Sequence, residues 1–101
     1  MAGNLASTTT NGSIAQTGAL TISGTSTLNA GTGNITLTDA NNDFTGTVSA
    51  SGAIVQITDK NALSVVLNST GDATLNAGST LTVSGTVSGT GSDLTLSLIH
   101  I

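Results

Sequence analysis

The sequence predicts an all-β fold, a parallel β-helix with about 20 residues per turn, right-handed by the usual crossover chirality. Three observations predict it. Short motifs recur at offsets near 20 residues, apolar residues alternate with polar ones between the corners, and strong helix formers are nearly missing. Thr38-Asp39-Ala40-Asn41 returns as Thr58-Asp59-Lys60-Asn61, and Ile35-x-Leu37 as Val55-x-Ile57. Leu20-Thr21-Ile22-Ser23-Gly24-Thr25 returns 61 residues on as Leu81-Thr82-Val83-Ser84-Gly85-Thr86, a distance of about three turns.

Taken in order, the turns run over 12–31, 32–51, 52–71 and 72–91, with partial turns at 3–11 and 92–101. Glycines at 12, 33, 52, 71 and 91 mark the corners. Between them, Ala19-Leu20-Thr21-Ile22-Ser23, Asn34-Ile35-Thr36-Leu37-Thr38 and Thr80-Leu81-Thr82-Val83-Ser84 alternate with period two, the pattern of half-buried strands. Each turn is expected to hold two or three such strands. An antiparallel sandwich would also use short alternating strands, but it gives no reason for a 20-residue repeat; stacked turns do. The expected inward columns are Ile35, Val55, Leu75 and Leu94, with Leu37 and Ile57 beside them and Leu20 and Leu81 capping similar columns. Corner asparagines are expected to ladder with one another from turn to turn.

Composition excludes several functions. Of 101 residues, twenty are Thr, thirteen Ser and thirteen Gly, while Lys60 is the only cation and five Asp are the only acids. Nucleic-acid binding needs cations for phosphates and aromatics for bases, and Phe44 is the single aromatic residue. The same shortage of cations disfavours an anionic membrane surface, and no apolar run is long enough to insert as a helix. With no Cys there is no disulfide framework and no thiolate metal site. Scarce charge also suits a stack, since identical charges one turn apart repel.

Candidate chemistry is thin. Asp39 and Asp59 should stack one turn apart with Asp43 nearby, which raises a calcium site or a glycosidase pair; Asx turns within Thr-Asp-x-Asn explain both acids. Asp72 and Asp93 at glycine corners read the same way. Lys60 beside Asp59 reads as a local ion pair or a solvated turn charge. Phe44 reads as a plug in the core or at a corner. Ser and Thr are plentiful, but the single His100 lies in an atypical tail, so no base accompanies them. No catalytic residue, metal ligand or cofactor-binding residue is assigned, no cofactor is expected, and the chain is not read as an enzyme. Flat Thr arrays such as Thr36-Leu37-Thr38 raise an ice-binding or carbohydrate-binding solenoid as the alternative, although Gln56 interrupts the column above Thr36.

Gly18-Ala19-Leu20-Thr21-Ile22-Ser23-Gly24-Thr25 and Asn34-Ile35-Thr36-Leu37-Thr38-Asp39-Ala40-Asn41-Asn42-Asp43-Phe44-Thr45-Gly46 resemble the repeat region of filamentous-haemagglutinin-like adhesins, very large exoproteins of Gram-negative bacteria. The resemblance covers residues 12–96 and also extends to autotransporter passengers. It implies a secreted shaft at the bacterial surface that supplies reach and weak surface contact, with glycans of a host cell or biofilm as partners. The solenoid fragment is assigned to 1–95. Residues 96–101 break the style and are expected to be a non-native, adapter-derived tail. No polar caps are visible, so open sheet edges should promote end-to-end self-association or fraying.

Overall fold

A computed structural model describes residues 3–88 and the strand at 94–98. Every described element is a strand: β1 Leu5–Thr8, β2 Ile14–Ala15, β3 Thr21–Ile22, β4 Ser26–Asn29, β5 Ile35–Leu37, β6 Asp43–Phe44, β7 Val48–Gly52, β8 Val55–Asp59, β9 Leu63–Ser69, β10 Ala73–Ala77, β11 Leu81–Val87 and β12 Leu94–Leu98. All pairings are parallel. One five-stranded sheet runs β1-β4-β7-β9-β11, a second β12-β10-β8-β5-β2, and β3 and β6 form a two-stranded third. The fold is therefore a β-solenoid, as the repeat predicts.

Stacking explains why so plain a sequence folds. Each apolar side chain in an inward position lands on another of its kind, and full burial of one contributes about 1.5–3 kcal/mol. In the first sheet Leu5, Ser26, Val48, Val65 and Val83 lie one above another. In the second, Ile14, Ile35, Val55 and Ala73 form one column, and Leu37, Ile57 and Leu75 form the next. The central members of these columns, with Ile22, Leu28, Phe44, Leu63 and Leu67, are almost wholly excluded from water. Ser26 is the odd member. Its Oγ is buried without a hydrogen-bond partner, alone in this among the described residues, a state that costs about 1–3 kcal/mol.

The coils are not of equal length. Along the first sheet they take 21, 22, 17 and 18 residues, reading Leu5, Ser26, Val48, Val65 and Val83. Coils of three strands (β2-β3-β4 and β5-β6-β7) give way to coils of two (β8-β9 and β10-β11), within the range of two or three expected. The third wall is dropped once β6 is complete, and the chain turns directly from Asp59 to Leu63.

This shortening corrects two expected columns. Leu75 does not sit on Val55; Ala73 does, and Leu75 belongs to the adjacent column above Ile57. Leu94 pairs with Ala73 as its place in that column requires. Leu20 and Leu81 are not equivalent either. Leu81 stacks on Leu63 in the first sheet, whereas Leu20 precedes β3 in the third. The evenly spaced turns at 32–51, 52–71 and 72–91 are displaced accordingly.

Corners obey the same vertical logic. Gly33 lies over Gly12 so closely that a Cβ would overlap the Gly12 carbonyl, which makes glycine obligatory there. Gly52 is not a corner but the buried last residue of β7. Corner asparagines do not ladder with one another. Instead Asn4 Oδ1 accepts from the Thr25 N–H (2.9 Å), Asn11 Oδ1 from Thr32 (3.0 Å) and Asn34 Oδ1 from Ile54 (3.2 Å). Each side chain thus holds the backbone of the coil above. Of the suspected tail, the backbone at 96–98 pairs with β10 through β12; Gly91, Asp93, Ile99, His100 and Ile101 lie outside the described residues.

Candidate functional site

The densest polar constellation lies at the corner where the third wall ends. Gln16 follows Ile14 by two residues and so shares its inward parity; Asn42 stands in the same relation to Phe44. Their amides meet face to face. Gln16 Nε2 donates to Asn42 Oδ1 (2.7 Å) and Asn42 Nδ2 donates back to Gln16 Oε1 (2.8 Å). Gln16 also donates to the Gly18 carbonyl (2.6 Å) and accepts from the Asp39 N–H (3.1 Å). Asn42 also donates to the Leu37 carbonyl (3.2 Å) and accepts from the Leu20 N–H (2.9 Å). Both amides have all four of their valences used, so the pair stitches two coils together and offers no spare group to a ligand.

The acids sit beside it. Asp39 Oδ1 accepts from the Asn41 N–H and Asp59 Oδ1 from the Asn61 N–H, each at 2.9 Å. These are the Asx turns expected of Thr-Asp-x-Asn. Asp59 does more. It is 2% exposed, and its Oδ2 accepts from the Phe44 N–H at 3.0 Å. Among the described strands none lies above β6, so this carboxylate takes the place of the carbonyl a strand would have offered. The Lys60 N–H donates to the Asn42 carbonyl at 2.8 Å, which fixes the turn over the same corner.

Burial pushes the Asp59 carboxyl above the ordinary aspartate value of 3.8. The two backbone donors and the Lys60 charge oppose that rise, and the Asp43 charge adds to it. A raised carboxyl in a cleft can mark an acid catalyst. Here both oxygens of Asp59 face backbone donors, not a cleft.

The remaining candidates fall elsewhere. Lys60 is exposed on its turn, and Asp72 is exposed on the corner before β10. Phe44 is 1% exposed, a core plug as expected. Among the described residues no three His, Cys, Asp or Glu are grouped so as to hold a metal ion. Gln56 does lie above Thr36. On the outer face of the first sheet the columns Ala6, Thr27, Ser49, Val66, Ser84 and Thr8, Asn29, Ser51, Asn68, Thr86 are mixed small residues, not Thr throughout. Gln16 and Asn42 escaped the sequence reading; a polar residue at inward parity was the signal that could have found them.

Residues 1–51 match the family described as "Repeats of unknown function (DUF5649)". No curated protein and no solved structure matches the chain.

Proposed function

Because the chain belongs to the family of repeats of unknown function DUF5649, we propose that it serves as a repeat in a structural role: a shaft segment of a large secreted bacterial surface adhesin of the filamentous-haemagglutinin-like kind, standing outside the outer membrane. The observation that carries this reading is the continuous parallel stack. Coil lies on coil along both main sheets, and the outer columns hold mostly Ser, Thr and Asn. Such a stack adds about 4.8 Å of length per coil, so more coils mean more reach. The neutral hydroxyl and amide face suits weak contact with surface glycans of a host cell or biofilm, and the proposed work contains no chemical step.

Weak contacts become effective when many act together. Beads coated with the chain at graded density should therefore be retained on epithelial monolayers and glycan arrays only above a threshold density. Retention should then rise steeply, and soluble glycan should compete it away. Retention no greater than that of beads bearing an unrelated acidic protein, at every density, would overturn the adhesive part of the proposal.

A further inference from the structure

We draw no further inference here: the strongest candidate, the outer face of the first sheet where Thr27, Ser49 and Val66 lie beside Asn29, Ser51 and Asn68, is a patch of small side chains, and nothing in the structure shows what covers it.

Discussion

Phe44→Ala is expected to lower the stability of the fold by about 3–5 kcal/mol, the range for truncating a buried aromatic side chain. Phe44 is the only aromatic residue and, among the described residues, the largest fully buried side chain. It lies at the end of β6, stacked in register on Ile22, where the third wall stops. The coil above has no third strand to close over the hole, so the cavity left by truncation cannot be filled from that side. Thermal unfolding followed by circular dichroism should show a melting temperature lower by roughly 12 °C or more, at about 4–8 °C per kcal/mol for a chain of this size. Phe44→Leu, which keeps most of the volume, should cost less than about 1.5 kcal/mol. Equal losses for the two variants would contradict the plug.

The second large effect is at Asp59. Removing its carboxylate in Asp59→Ala leaves the Phe44 and Asn61 N–H groups without acceptors, and should cost about 2–4 kcal/mol in denaturant unfolding at neutral pH. Asp59→Asn removes the charge together with one of the two acceptors, but it does not titrate, and here pH gives a sign. Burial raises the folded-state pKa above 3.8, so the proton binds more tightly in the folded chain. The stabilisation this brings is complete below 3.8 and is lost as pH rises through the raised folded value. Wild-type stability minus Asp59→Asn stability should therefore fall across that window and level off above it. A difference that rises with pH would mean that the charged carboxylate, not its protonated form, is favoured by the fold.

Both residues show which parts of the structure could be read in advance. Alternation in Ile35-x-Leu37 and Val55-x-Ile57 was enough for the strands, the inward face and the parallel stack, because buried positions in a coil must repeat where the coil repeats. The Asx turns at Asp39 and Asp59 were likewise local and legible. Register was not. A slip of two residues keeps every side chain on its own face, so Leu75 fits either inward column by pattern alone. Only the loss of a wall after Asp59, a matter of coil length, decides that Ala73 lies on Val55. The Gln16–Asn42 pair was hidden for a related reason: its members are 26 residues apart and meet only when the longer coils are closed. The match of Leu20 to Leu81 was misleading because similar strand strings can serve different walls.

Parallel stacking in one register is the claim beneath all of this. The chain has no cysteine, so disulfide trapping reads it without background. Thr74 lies on Gln56 in adjacent parallel strands. Their Cα atoms should be about 4.8 Å apart, within bridging range, whereas a site two residues along the neighbour is about 8 Å away and out of range. Under mild oxidation the pair Gln56→Cys with Thr74→Cys should close to a disulfide within the monomer, and Ile54→Cys with Thr74→Cys should remain reduced. Closure of the second pair in preference to the first would contradict the register, and closure of neither would contradict the stack.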